Sequence, residues 1–237
     1  MITATSLTKR YGRVTAADGV TFTCAPGTIT GFLGGNGAGK STTLRMITGL
    51  TRPDSGDATI AGLPFGKLAN PARIVGTLLD AAAFHNGRTG RETLRTACIV
   101  TGVPRSRAEE LLSVVGLAGD AGRRVGGYSL GMRQRLGLAH ALIGDPSVLI
   151  LDEPANGLDP AGVAWIRELL RGFAIRGGTV LLSSHLLAEV QATADHLIII
   201  DHGRVIASGT QRSLLSRPGQ TLEELFLSLT AKQEKVA

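Results

Sequence analysis

Short apolar runs bounded by glycine, proline and acidic residues make up most of this chain, and their period changes along its length. Near the start, "VTFTCAPG" alternates apolar and polar positions as a strand does, and "TITGFLG" is a more continuous, buried run. They predict a small antiparallel layer ahead of Gly34. From Lys40 to Leu50, "KSTTLRMITGL" places Leu44, Ile47 and Leu50 on one helical face, and "TRPDSGD" ends that helix with proline and glycine. Between about Gly90 and Ala141 the pattern is helical: "RETLRTACIVTG", "PRSRAEELLSVVGL" and the segment after Gly131, each set apart by Gly or Pro. Alternation of strand and helix then resumes. "PSVLILDEP" and "TVLLSSH" read as buried strands, and "PAGVAWIRELLRGFAIRG" and "LLAEVQATAD" as helices. "HLIIIDHGRVIASGT" reads as two strands joined at Asp201, His202 and Gly203, and "TLEELFLSLT" as an amphipathic segment before a polar end expected to fray.

Parallel strands joined by helices make an α/β sheet. The expectation is one domain over residues 1–237, with a mostly parallel sheet and an N-terminal antiparallel β layer. A helical subdomain is expected at about 84–142 and a C-terminal helical tail at about 210–237. The length is enough for a sizeable core, and nothing resembles a linker, a repeat or a low-complexity tract.

Apolar residues are 43% of the chain but never approach the roughly 18 in succession that a membrane span needs. "MITATSLTKRYG" has no secretory pattern, so a cytosolic location is expected. Cys24 and Cys98, far apart and without nearby ligand partners, read as reduced structural thiols. A net charge of +6 suits nucleic acid, anionic lipid or an acidic nucleotide alike. Arginines 88, 91, 95, 123, 124, 133 and 135 have no aromatics among them, and aromatics are only 4% of the chain. Base stacking, and with it a nucleic-acid partner, is not expected.

Three strand exits carry candidate chemistry. Gly34–Ser41, "GGNGAGKS", matches the phosphate-loop pattern GxxxxGK[ST] between a strand and a helix. Its backbone N–H groups would curl around a β-phosphate, Lys40 would add charge at the β/γ oxygens, and the Ser41 hydroxyl would ligate Mg²⁺. "VLILDE" ends a buried strand in two carboxylates: Asp152 would hold Mg²⁺ through water, and Glu153 would polarise an attacking water. A general base of this kind contributes about 10²–10⁴-fold in rate. His185, at the exit of "TVLLSS", stands where a γ-phosphate sensor belongs.

A second glycine and serine loop opens "GGYSLGMRQRLGLAHAL", Gly126 to Leu142, and leads onto a helix N-terminus. One nucleotide needs one phosphate loop. The economical arrangement is a head-to-tail dimer in which Ser129 and the Gly131 backbone of one chain close over the ATP held by the other chain's Lys40.

Over nearly its whole length the chain resembles the nucleotide-binding subunit of ABC transporters. The resemblance implies that Tyr11 in "KRYG" stacks on adenine, and that Gly34, Gly35, Asn36, Gly37, Ala38, Gly39, Lys40, Ser41 and Thr42 hold ATP. It makes "YSLGM" the signature, "VLILDEP" the Walker B strand, "NGLD" the D-loop with Asp159 at the dimer seam, and His185 the switch histidine. Three departures stand out. Tyr128, Leu130 and Met132 replace the Leu, first Gly and Gln of the usual signature, while Ser129 and Gly131 are kept. Asp80, after "VGTLL", takes the place of the Q-loop glutamine, where it would bring a negative charge to Mg²⁺ or be an ordinary loop acid. Gly35 stands where proline is frequent, which loosens the turn.

The chain is similar to bacterial drug and bacitracin export ATPases, whose membrane subunit is a separate polypeptide. That implies ATP and Mg²⁺ as cofactors and two partners, a polytopic membrane permease and a second ATPase copy, at the cytoplasmic face of the membrane. The segment from Phe84 to Arg95 is the expected docking face. The alternatives are a soluble ATPase acting on ribosomes or DNA and a nucleotide-gated regulator with silent hydrolysis. The doubled domain or long coiled coil of the first is not seen, and intact Lys40, Asp152, Glu153 and His185 argue against the second.

Overall fold

The computed structural model describes residues 1–215 and 219–234. Parts of the expected helical tail, residues 216–218 and 235–237, lie outside the described residues, as does the expected fraying at the end. The chain opens with β1 (Ile2–Tyr11) and β2 (Val14–Cys24), an antiparallel pair, followed by β3 (Ile29–Leu33) and α1 (Lys40–Ile47). β4 (Ser55–Ile60) returns to pair with the far edge of β1, giving a three-stranded sheet ordered β2-β1-β4.

The antiparallel layer is present as expected, but only β2 of its strands was read from the pattern, and "TITGFLG" forms β3, which pairs in parallel with strands later in the chain. β4 runs through "SGDATI", whose first three residues are exposed, so no alternation marks it as a strand. Its pairing with β1 creates it. α1 also stops earlier than the pattern predicts: Thr48 caps it, Gly49 turns left-handed with φ 71°, and Leu50 is left 69% exposed while Leu44 and Ile47 are buried.

After β5 (Val75–Leu78) come α2 (Gly90–Thr101), α3 (Ser106–Val114) and α4 (Leu130–Ala141). α2 has a reciprocal capping box between Thr89 and Glu92. These helices enclose their own apolar cluster, with Leu94, Cys98, Leu111, Leu112, Val125 and Leu136 at its centre. Alternating units follow: β6 (Val148–Asp152), α5 (Pro160–Ile175), β7 (Thr179–Ser184), α6 (Leu187–Thr193), β8 (His196–Asp201) and β9 (Arg204–Thr210). α7 (Gln211–Leu214) and α8 (Leu222–Glu234) complete the described chain.

The second sheet has six strands ordered β5-β6-β7-β3-β8-β9, parallel except for β9. Both faces are covered, which explains its unbroken apolar runs. In β6, Val148 and Ile150 face the core shared with the antiparallel sheet and α1, whereas Leu149 and Leu151 face the core under α5 and α6. The β8–β9 turn has positive φ at His202 and Gly203, as a tight hairpin requires, and Gly203 N–H donates to Ala38 O at 3.0 Å. A distant hairpin thus props the phosphate loop.

Strand order decides what meets what. β7 lies between β3 and β6, so the three strand exits carrying candidate chemistry open side by side at one sheet end. In an open α/β sheet that end is where ligands bind.

Candidate active site

The phosphate loop between β3 and α1 is held in shape by its own lysine. Lys40 is 7% exposed, and its Nζ donates to Gly34 O at 2.7 Å and Gly35 O at 3.2 Å. Gly39 has φ 104°, and a Cβ there would lie 2.1 Å from Ala16 O, so position 39 accepts no side chain. The loop edges a cavity of about 250 Å³ lined by Ala16, Gly35, Asn36, Gly37, Gly39, Lys40, Ser41, Thr42, Asp152 and Glu153. Gly34 and buried Ala38 complete the loop without lining the cavity.

The two carboxylates reach this cavity by different local geometry. Asp152 is the last residue of β6, directly opposite Ser183 of β7, and its Oδ1 accepts the Ser183 hydroxyl. Glu153 turns sharply out of the strand with φ 49°, a left-handed conformation that costs about 1–3 kcal/mol in a residue with a side chain. Three contacts hold that turn. Glu153 N–H donates to Ser183 O at 3.2 Å and Ser183 Oγ at 3.1 Å, and Gln134 Nε2 of α4 donates to Glu153 O at 3.2 Å.

His185 and Glu153 meet directly. His185 Nδ1 lies 2.8 Å from Glu153 Oε2, and the His185 backbone N–H donates to the same oxygen at 3.4 Å. The histidine does not line the cavity itself; its carboxylate partner does. Glu189, on the first turn of α6, feels this cluster: burial, then the Glu153 charge, push its carboxyl above the ordinary range.

Ser41 and Asp152 present a hydroxyl and a carboxylate to the same cavity. Hard oxygen donors, few in number and beside a phosphate loop, fit Mg²⁺, which keeps most of its shell for phosphate and water. Asp80, expected as a further metal ligand, does not line this cavity. Its Oδ1 accepts the Ala82 N–H at 2.7 Å, a local turn that engages the carboxylate with its own backbone. Asp80 lines a separate cavity of about 470 Å³ with Arg45, Leu50, Phe84 and His140.

The second loop stands apart from the phosphate cavity. Ser129 is the N-cap of α4, and its Oγ accepts the Met132 N–H at 3.2 Å, which leaves the hydroxyl proton to donate elsewhere. The helix starts at Leu130 because of this cap, two residues ahead of the expected start. Tyr128 turns inward instead, 5% exposed, with its hydroxyl donating to Asp120 O at 2.8 Å. Asp159 caps α5 by accepting the Gly162 N–H at 2.8 Å, and Tyr11 lies half-exposed at the end of β1 with Lys9 Nζ 5.6 Å from its ring centre. Neither lines the phosphate cavity.

The ABC transporter family matches residues 17–156, a span running from β2 through Asp152 and Glu153. The chain belongs to the ABC transporter family. Its relatives include the bacitracin transport ATP-binding protein BcrA of Bacillus licheniformis, 42% identical over 209 residues, covering 87% of this chain and 68% of BcrA. The lantibiotic transport ATP-binding protein SrtF of Streptococcus pyogenes is 35% identical, over 95% of this chain and 96% of SrtF. A solved structure of the ATP-binding subunit of an ABC transporter superimposes with a TM-score of 0.88 at 29% identity, covering 97% of this chain and 99% of that one. This ABC subunit is therefore a nucleotide-binding ATPase coupled to transport. Among the described residues no helix is long and apolar enough to cross a membrane.

Reading the sequence alone missed Ser183, Gln134, Ala16 and Glu189 around this ABC site. Ser183 left a signal: it precedes His185 by two residues and falls opposite Asp152 once β6 and β7 pair in register. Gln134 left none, because its partner is a backbone carbonyl on another element.

Proposed function

We propose that this ABC subunit drives export of antibiotics or other amphipathic compounds through a separate polytopic permease at the cytoplasmic face of the membrane. The single observation that carries the catalytic reading is the cavity in which Lys40 and Ser41 meet Asp152 and Glu153. Lys40 and the loop N–H groups bind the β- and γ-phosphates, Ser41 and Asp152 hold Mg²⁺, and Glu153 orients and deprotonates the attacking water. Mg²⁺, when bound, offsets charge on the phosphate oxygens. His185, fixed against Glu153 through Nδ1, keeps its Nε2 for the γ-phosphate. Two copies close head to tail, with Ser129 and Gly131 of each over the other's nucleotide, Tyr11 on adenine and Asp159 at the seam. Because ATP binds the closed pair best, closure shifts the permease between conformations.

Export of such cargo is supported by the relatives that act in bacitracin and lantibiotic transport. The permease would dock at Phe84–Arg95, a segment flanked by two cavities that share Phe84 and His140. The test is to tag Glu153→Gln, solubilise native membranes with MgATP and identify what co-purifies in stoichiometric amount. A polytopic membrane protein is the expected result; ribosomal or DNA-bound proteins without one would overturn the transport reading in favour of a soluble ATPase.

A further inference from the structure

The left-handed turn at Glu153 is held from two sides that belong to different parts of the molecule. Its N–H is fixed by Ser183 on the neighbouring strand, but its C=O is fixed by Gln134, which comes from α4. Gln134 is only 5% exposed, and its Oε1 has no hydrogen-bond partner among the described residues. A buried carboxamide that leaves its acceptor unsatisfied is destabilising by itself. The bond it does make is the one that reaches the carbonyl of Glu153.

α4 is packed tightly against the segment that follows Glu153. A Cβ on Gly131 would lie 3.0 Å from Gly157 O, and a Cβ on Gly157 would lie 2.5 Å from Leu130 Cδ2. One turn further on, the Arg135 guanidinium sits 4.7 Å from the Trp165 ring centre of α5 and donates to Val115 O at 3.1 Å. The helix therefore carries Ser129 at its N-terminus and grips the Glu153 backbone five residues later, with no flexible element between.

We propose that Gln134 is a positioning residue for hydrolysis: through the Glu153 carbonyl it holds the carboxylate of its own chain at the cavity, from the helix whose N-terminus faces the partner's nucleotide. This rests on the proposed hydrolytic role of Glu153 and the head-to-tail dimer. It links the two sites, since whatever seats Ser129 on one nucleotide also braces the base acting on the other.

Gln134→Met and Gln134→Leu remove the donor and keep the side-chain volume. Full-length variants would be assayed for phosphate release against MgATP concentration, for thermal unfolding, and for ATP-driven dimerisation when combined with Glu153→Gln. The expected result is a kcat lowered about tenfold or more with KM for ATP within about threefold, because a small displacement of a catalytic group is costly to rate and not to binding. In the Glu153→Gln background dimerisation persists, and the added substitution lowers residual hydrolysis no further, as two changes acting through one group are non-additive. A folded variant with near wild-type kcat, an additive loss, or failure to dimerise would overturn the inference. Failure of the wild-type chain itself to hydrolyse ATP would refute the proposed function instead, so the two claims fall separately.

Discussion

Two loops in this chain place backbone N–H groups and a hydroxyl at the start of a helix, yet only one has the rest of a site around it. The loop from Gly34 to Thr42 has a buried lysine folded over its carbonyls and two carboxylates across a shared cavity. At Ser129, the N-cap residue and Leu130 are exposed while the rest of the first turn of α4 is half-buried, and neither Ser129 nor Gly131 lines that cavity. The physics of the two helix starts is the same. What differs is completeness: the first loop shares a cavity with a lysine and two carboxylates, the second does not, and under the proposed function its nucleotide is brought by another copy of the chain.

The largest effect expected from breaking this contrast is at Lys40. Removing a charge that contacts phosphate directly typically costs several kcal/mol, so Lys40→Ala should weaken ATP binding by on the order of 100-fold or more and leave no measurable turnover. Fluorescent-nucleotide titration and phosphate release check both. Next is Glu153→Gln, which should retain ATP binding, lose about 10²–10⁴-fold in turnover and accumulate as an ATP-bound dimer by light scattering. A variant hydrolysing near the wild-type rate would remove Glu153 from the role of base.

Ser129→Ala sharpens the contrast because it affects the incomplete loop. It loses one hydrogen bond to a charged group, so turnover should fall about tenfold or somewhat more. It also loses a helix cap worth about 1 kcal/mol, which should lower Tm by about 2–4 °C in a chain of this length. The smallest expected effect is at Glu189, whose carboxyl is raised in the folded state by burial and by Glu153. Well below its ordinary value both folded and unfolded chains hold the proton and no penalty exists; as pH rises through the folded value, the native state must ionise a carboxyl it prefers neutral. Glu189→Gln should therefore raise Tm slightly at pH 7.5 and leave it unchanged near pH 3.5, by differential scanning fluorimetry.

The sequence was legible where one local rule decides the outcome. The phosphate-loop spacing and the two-faced apolar run of β6 each announce themselves. β4 did not, because its polar residues form a strand only once β1 supplies an edge. Leu50 followed the helical period but lost its place to the Gly49 turn. In the site, residue identity marked Lys40, Asp152, Glu153 and His185, but it could not show that His185 and Glu153 touch, which follows from β6 and β7 being neighbours in a sheet ordered out of sequence. Asp80 shows the converse: its position suggested a metal ligand, and residue identity did not show that it lies outside the phosphate cavity with its Oδ1 accepting the Ala82 N–H.

The central claim, that the two loops serve different chains' nucleotides, has a direct test by complementation. Chains carrying only Lys40→Ala and chains carrying only Ser129→Arg would be purified, assayed alone, then mixed and assayed for phosphate release. Each alone should be inactive, since every site in either homodimer lacks one loop. Mixing should restore hydrolysis, because a head-to-tail pair of unlike chains puts both defects in one site and leaves the other intact. If mixing restores nothing while both variants are folded and exchange partners, the two loops act on the same chain's nucleotide and the account is wrong.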